Sequence, residues 1–362
     1  MYQNTLSIQD KIKLDNLLSQ IQASSNHMLG YPIDCKSIDS NYLLPFMKYM
    51  INNLSDPFSG GNYQLNTFEF ELDLVRFFGN LLGCNDCWGY VTSGGSEGNL
   101  QGLITGREVY HDAPIYFSDQ SHYSIFKAAN VLRGDIRVIK SNIDGSISLS
   151  DFENKLSGDK AIVSLNIGTT MLAGVDNWVE AIRIMRKKKI RYYVHFDAAL
   201  LGLIYPFVFP ERLKFRHFNS IAISGHKMLG CPVPCGMFLA DKAVDGQRIE
   251  YINGTNKTLL GSRSGLAVLT MWHAIKKFGR DGLKERAKKC MVLTKYLYEQ
   301  LKNIEYERVI WTDTNTIVFK KPNDSICKKW QLATQGDLAH VVIMPSTSKQ
   351  MLNKFIGDML FA

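Results

Sequence analysis

Ser220-Ile221-Ala222-Ile223-Ser224-Gly225-His226-Lys227 decides the reading of this chain: a short, β-compatible apolar run that ends by delivering a lysine. Such a run reads as a buried strand, and residues just past the carboxyl end of a buried strand face the crevice where α/β sheets bind ligands. Lysine packs poorly, because ordering it removes rotamer freedom and burying its charge removes solvation. A single lysine in this position is more often one that snorkels to the surface. Desolvation also shifts an amine toward neutrality, and a neutral amine can form a Schiff base. The residues after the neighbouring strands decide between the two.

On both sides of that run the chain alternates short strands and helices. Strands are expected over residues 88–92, 115–118, 136–139, 161–166, 192–196, 220–223 and 236–240, and helices over 97–109, 121–132, 151–156 and 178–188. Ser150 and Glu153 have the spacing of a capping box for the third helix. This alternation predicts an α/β fold with a mostly parallel, doubly wound sheet. Residues 1–55 carry helical-period apolar positions (Leu14, Leu17, Leu18 and Ile21, then residues 42–51) and read as an N-terminal arm that buries its stripe in its own fold or in a second subunit. Residues 56–275 form the large domain. A helix over 282–301, a strand over 316–319 and a helix over 349–360 make residues 276–362 a smaller α+β domain.

Composition narrows the function. The 362 residues are 45% hydrophobic and 21% charged, as in an ordinary globular protein. The net charge of +8 is scattered except for Arg186-Lys187-Lys188-Lys189, which closes a helix where cations complement the dipole, so no nucleic-acid partner is inferred. Seven cysteines, an odd number, indicate neither a disulfide framework nor a thiolate zinc site, and no metal is expected. A reducing cytoplasm fits. The opening Met1-Tyr2-Gln3-Asn4 has no signal-peptide pattern and no stretch reaches the roughly 20 apolar residues of a spanning helix, so neither export nor a membrane is expected.

The residues after the strands carry the chemistry. Ser93-Gly94-Gly95-Ser96-Glu97-Gly98-Asn99 opens a helix whose amides and dipole suit a phosphate, with Ser96 adding a hydroxyl. The same stretch matches G-x-S-x-G, which keeps a serine hydrolase open, with His195, His226 or His340 as its base. His122 follows the second strand and can stack on a planar ligand or shuttle a proton. Thr169 and Thr170 follow the fourth. Asp197, after the fifth, is a carboxylate among apolar residues that needs a partner, and Ala198 and Ala199 leave room for something flat. Together these positions describe pyridoxal phosphate: Lys227 for the aldehyde, Gly94, Gly95 and Ser96 for the phosphate, Asp197 for the pyridinium nitrogen, His122 and Ala199 for the ring faces.

The chain resembles the group II pyridoxal-phosphate-dependent amino acid decarboxylases, in the short branch of bacterial histidine decarboxylases and plant serine decarboxylases. The likeness rests on Trp88-Gly89-Tyr90-Val91-Thr92, Gly95-Ser96-Glu97-Gly98-Asn99, Ser121-His122-Tyr123-Ser124, Asn166-Ile167-Gly168-Thr169-Thr170, Ser224-Gly225-His226-Lys227 and Cys235-Gly236. Residues 330–337 look most like the plant serine enzymes, whereas Asn62-Tyr63 and Phe68-Glu69-Phe70-Glu71 look more like the bacterial histidine enzymes. The resemblance implies a fold-type I homodimer with shared active sites and α-decarboxylation of an L-amino acid, first L-histidine and alternatively L-serine or another small amino acid. It implies Lys227 as the Schiff-base lysine, Ser224 and His226 among the phosphate ligands, Thr169 or Thr170 near the ring hydroxyl, and Tyr251 as a proton donor on a loop. Ser262-Arg263-Ser264-Gly265-Leu266 departs from the Ser-Arg-Asn-Gly-His of the relatives, near the expected active-site wall. Transamination on the same cofactor stays open, with Arg263 or Arg308 to clamp the substrate carboxylate, as does a silent, cofactor-free subunit.

Overall fold

Residues 6–35, 38–210 and 218–360 are described by the computed structural model; the opening Met1-Tyr2-Gln3-Asn4 lies outside them. Ahead of the first strand come α1 (Ile8–Ser25), a 3-10 segment over Asn41–Lys48, and α2 (Phe68–Leu82). Then follow β1 (Trp88–Thr92), α3 (Gly95–Val109), β2 (Ile115–Ser118), α4 (Tyr123–Val131), β3 (Ile136–Ile139), α5 (Leu149–Lys155), β4 (Lys160–Asn166), α6 (Trp178–Lys187), β5 (Arg191–Asp197), α7 (Tyr205–Val208), β6 (Ser220–Ser224), α8 (Gly225–Met228) and β7 (Gly236–Ala240). The seven strands form one sheet in the order β1-β7-β6-β5-β4-β2-β3, parallel throughout except at β7, which runs antiparallel to both neighbours. The apolar strands β1, β2, β6 and β7 are buried along their whole length, as a sheet covered on both faces requires.

Helix α3 lies unusually close to that sheet. A Cβ on Gly98 would stand 2.8 Å from Ala222 Cβ, and one on Gly102 only 2.1 Å from His195 Nδ1. These two missing side chains let the helix axis settle against β5 and β6 and aim its first turn at their carboxyl ends.

Beyond β7 come β8 (Gln247–Ile249) and β9 (Gly254–Asn256), a hairpin, and then α9 (Gly265–Asn303). A second sheet, β10 (Ile310–Trp311), β11 (Thr316–Lys320), β12 (Ala333–Gln335) and β13 (Leu338–Val342), is antiparallel in the order β10-β11-β13-β12. It is accompanied by α10 (Asp324–Lys329) and α11 (Lys349–Met359).

Four local expectations shift. Ser148, not Ser150, caps α5, accepting from Asp151 N at 3.4 Å. Residues 42–51 form a 3-10 segment rather than a regular helix, with Pro45 and its missing N–H inside it. The long helix begins at Gly265 instead of residue 282; Gly279, at φ 59°, breaks its period and hides the first half from a periodicity reading. Helix α2, with Leu74, Phe78 and Leu82 buried, is an element the strand–helix rhythm did not include. Cys84 and Cys87 stand at C-x-x-C spacing, but they form no disulfide, and burial pushes Cys84 up and Cys87 up to about 12. Raised thiols are poor nucleophiles and poor metal ligands.

Candidate active site

The carboxyl ends of β1, β2, β4, β5 and β6 open into one cavity of about 750 Å³. Its inner wall includes Ser93, Gly94, Gly95, Ser96, His122, Asn166, Thr170, Asp197, Ala199, Ser224, His226 and Lys227. Its rim is built by residues 30–33 after α1 and by Ala333, Thr334, Gln335, His340 and Val342 of the second sheet, with Met171 and Leu200 as apolar walls.

Helix α3 begins at Gly94 with no side-chain cap, so the amides of its first turn are open to a ligand. Gly94 has φ 152°, and a side chain there would stand 3.6 Å from His226 Cε1, against the histidine beside the helix tip. Ser224 Oγ and Ala199 crowd the position a Cβ on Gly95 would take, at 2.9 and 3.0 Å. The helix tip, Ser224 and His226 thus form a narrow concave cradle with donors on several sides.

Asp197 sits at the end of β5, almost wholly buried. Its Oδ2 accepts from Asn99 Nδ2 at 2.8 Å and its Oδ1 from the Ala199 amide at 3.1 Å. Asn99 also donates to Ser124 Oγ at 2.9 Å, and Ser124 Oγ lies 2.8 Å from His122 Nδ1. On its other side Asn99 Oδ1 is 3.1 Å from His195 Nε2, whose Nδ1 is 2.9 Å from Ser220 Oγ. Asn166, on the opposite wall, donates to Ser121 Oγ at 3.2 Å and to Asp176 Oδ2 at 2.9 Å. Burial pushes Asp176 up to about 6 against the hydrogen bonds it accepts from Asn166 and from Ile147 N.

The titratable groups are tuned by this setting. Lys227 is hemmed in by protein on all sides but the cavity, and desolvation lowers its pKa while Asp197 opposes the shift. Burial lowers His122 as well, with Asp197 opposing and Lys227 adding to the lowering. His226 is lowered by burial, and the Cys235 carbonyl beside its Nδ1 opposes that. Fully buried His195 falls to about 4 and is a neutral imidazole.

Of the residues expected to hold the cofactor or act on the substrate, all but Thr169 and Tyr251 line this cavity. Thr169 is buried behind it, where its Oγ1 accepts from Gly174 N at 2.8 Å and closes the loop that presents Thr170. Tyr251, 86% exposed, stands on the turn between β8 and β9, outside the cavity of its own chain. Ser264 and Leu266 do not line the cavity either; Ser264 caps α9, accepting from Ala267 N at 3.1 Å. Asn99, Ser124 and the rim of the second sheet were not anticipated. The available signal for Asn99 was its place inside a helix, where asparagine is disfavoured unless its amide has partners.

The rival chemistries lose their residues. Arg263 is buried and pairs with Glu71, also donating to Ser55 O at 2.8 Å, and Arg308 pairs with Asp337 at the surface, so neither can clamp a substrate carboxylate here. Among the described residues no arginine lines the cavity. Ser96 lines the cavity, but His195 is bonded to Asn99 and Ser220, His226 to Cys235, and His340 to the Met171 and Gly30 carbonyls at 2.8 and 2.9 Å. His195 and His340 thus have both ring nitrogens engaged, and no hydrogen bond joins any of the three to Ser96 among the described residues.

An amine, a carboxylate held in place, an imidazole and a helix tip around one slot suit a phosphorylated aromatic aldehyde, and they define a fold-type I pyridoxal phosphate enzyme. Residues 104–321 match the pyridoxal-dependent decarboxylase conserved domain. The chain is 40% identical to a histidine decarboxylase of Mesorhizobium japonicum over 97% of its own length and 98% of that protein's. It is 39% identical to serine decarboxylase 3 of Oryza sativa subsp. japonica, over 91% of this chain and 77% of that one. Its fold matches that of an L-methionine decarboxylase from Streptomyces sp. 590, with TM-score 0.89 at 21% identity over 100% of this chain and 96% of that one. The chain belongs to the pyridoxal-dependent decarboxylase family and is an amino acid decarboxylase.

Proposed function

We propose that the substrate is L-histidine, converted to histamine and carbon dioxide. The observation that supports this choice is similarity: histidine decarboxylases match 97% and 98% of this chain, against 91% to 94% for the rice serine decarboxylases. The walls fit a flat heteroaromatic side chain, with Met171 and Leu200 for its faces and Gln335 and Thr334 for its polar edge. L-Serine, giving ethanolamine, is the second reading, because the stretch that looks most like the plant enzymes supplies Ala333, Thr334 and Gln335 to the rim.

When bound, pyridoxal phosphate supplies an electron sink conjugated to the substrate α-carbon. The side chains do the rest. Desolvation lowers Lys227 toward its neutral form, and its amine would hold the cofactor aldehyde. Asp197 would hold the proton of the ring nitrogen, His122 and Ala199 would cover the ring faces, and Gly94, Gly95, Ser96, Ser224 and His226 would hold the phosphate. No arginine lines the cavity among the described residues, so none of these side chains would clamp the substrate carboxylate, as decarboxylation requires.

The working unit in this reading is a homodimer in the reducing cytoplasm. Helix α1 buries none of its residues, and Ile8, Ile12, Leu17, Leu18 and Ile21 are each more than half exposed. Most helical stability in proteins comes from packing an apolar face, so this arm calls for a second copy to cover it. Residues 1–55 are then a clasp, 56–275 the cofactor domain and 276–362 the smaller domain. In this reading Tyr251, outside its own cavity, serves the partner's as proton donor, with His122 as the alternative donor. Carbon dioxide release from each common L-amino acid, with keto-acid product assayed in parallel, is the test. Histidine should lead; release from serine alone would overturn the substrate, and a keto acid without carbon dioxide would overturn decarboxylation.

A further inference from the structure

The buried polar chain behind Asp197 has only one consistent arrangement of its protons. A carboxylate can only accept, so the Asn99 amide turns Nδ2 toward Asp197 Oδ2 (2.8 Å) and Ser124 Oγ (2.9 Å), leaving Oδ1 for His195. His195 Nε2, 3.1 Å away, must then donate, and the Nδ1 of that neutral ring accepts from Ser220 Oγ at 2.9 Å. His122 Nδ1 also receives the Ser124 amide, which can only donate, so that nitrogen is an acceptor, and Ser124 Oγ, accepting from Asn99, sends its own hydrogen to it at 2.8 Å. The proton of a neutral His122 is thereby left on Nε2.

We propose that Asn99 is a positioning residue that couples Asp197 to His122: through Ser124 it fixes the His122 tautomer, so that His122 can donate a proton at Nε2 but not accept one there. The inference deepens the decarboxylase reading, since it fixes at which atom His122 gives up a proton. Four features support a built device rather than an accident of packing. Asn99, Ser124, His195 and Ser220 are all buried. Each is hydrogen-bonded at every functional atom named above. The cavity for the His195 ring exists only because residue 102 is glycine. Lastly, an asparagine and a serine occupy helix positions where their side chains would otherwise compete with the backbone.

One competing contact bears on the same nitrogen: Ser124 N points at His122 Nδ1 at a long 3.3 Å. Ser124→Ala separates the two, because it keeps the backbone amide and removes the hydroxyl. In protein labelled with ¹⁵N-histidine and free of substrate, the His122 ring, assigned by its loss in His122→Asn, should show a protonated Nε2 and an acceptor Nδ1. In Ser124→Ala and in Asn99→Leu the two tautomers should mix, and kcat/KM should fall about 10- to 100-fold with a shifted pH profile. His195→Gln, which retains an N–H donor for Asn99, should keep the wild-type spectrum, while His195→Leu should behave as Asn99→Leu does. An unchanged His122 spectrum in Ser124→Ala overturns the proposal, also where Asn99→Leu does not fold. Because the spectrum is read without substrate, its outcome is independent of which amino acid is decarboxylated.

Discussion

Replacing His195 by glutamine should flatten the acid side of the stability profile, because glutamine keeps a donor for Asn99 but cannot titrate. Burial holds the His195 imidazole at about 4 against an ordinary 6.5. As pH falls below 6.5 the unfolded chain takes up a proton that the folded chain refuses until about 4, so this contribution to stability is whole above 6.5 and is lost through that window. The span is 6.5 − 4 = 2.5 units, or about 3.4 kcal/mol at about 1.36 kcal/mol per unit. Between pH 7.5 and pH 5 the expected loss from this one group is about 2 kcal/mol. Asp176, raised to about 6, titrates nearby with the opposite sign, but it does so in both proteins and cancels from the comparison. Urea unfolding of wild type and His195→Gln at the two pH values, at one protein concentration so that association is held fixed, measures the difference. Losses equal to within about 0.5 kcal/mol would refute a buried, neutral His195.

Lys227→Ala should abolish both the visible absorbance of the lysine imine and carbon dioxide release, and a variant retaining both would remove Lys227 from its role. Gly102→Ala puts a methyl 2.1 Å from His195 Nδ1, which must retreat by about 1.3 Å to reach an ordinary 3.4 Å contact. Overpacking of about 1–3 kcal/mol, offset by up to about 1 kcal/mol of helix propensity, should lower the unfolding midpoint, and pyridoxal phosphate affinity by fluorescence titration should fall with it. Arg263→Met strips a buried carboxylate of its cation and should destabilise by about 3–5 kcal/mol in urea, although Glu71 keeps its bonds from Asn53 Nδ2 and Val91 N, both at 2.7 Å. Tyr251→Phe should lower kcat with little change in KM under steady-state assay, because the hydroxyl would act on the reacting carbon and not in substrate binding.

The large sheet was legible because its strands are short apolar runs closed by small residues, and β1, β2, β3 and β7 have the expected bounds. The inner wall was legible for a related reason: in a parallel sheet the ligand-binding residues follow the strands directly, so Lys227, Asp197 and His122 could be named by position alone. What lay behind the wall was not. Asn99 meets Asp197 across 98 residues and His195 across 96, and neither spacing leaves a periodic trace. The rim was hidden because Ala333–Gln335 is a three-residue strand, too short to show alternation, and because Gly30 reaches it through His340. The cap expected at Ser150 lies two residues earlier, because Ser148 Oγ accepts from the Asp151 amide while the Asp151 carboxylate is taken by Lys140 N and Lys155 Nζ.

The glycines of α3 have a consequence for how this enzyme can diversify. With Gly98 and Gly102 leaving no slack between helix and sheet, the machinery that grips the cofactor behaves as a single casting: altering one piece disturbs all. The mouth, by contrast, is assembled from remote parts of the chain, one just after the N-terminal helix and the other near the C-terminus. A change of diet is therefore open to a handful of substitutions at that mouth, while the bond-breaking apparatus beneath stays untouched.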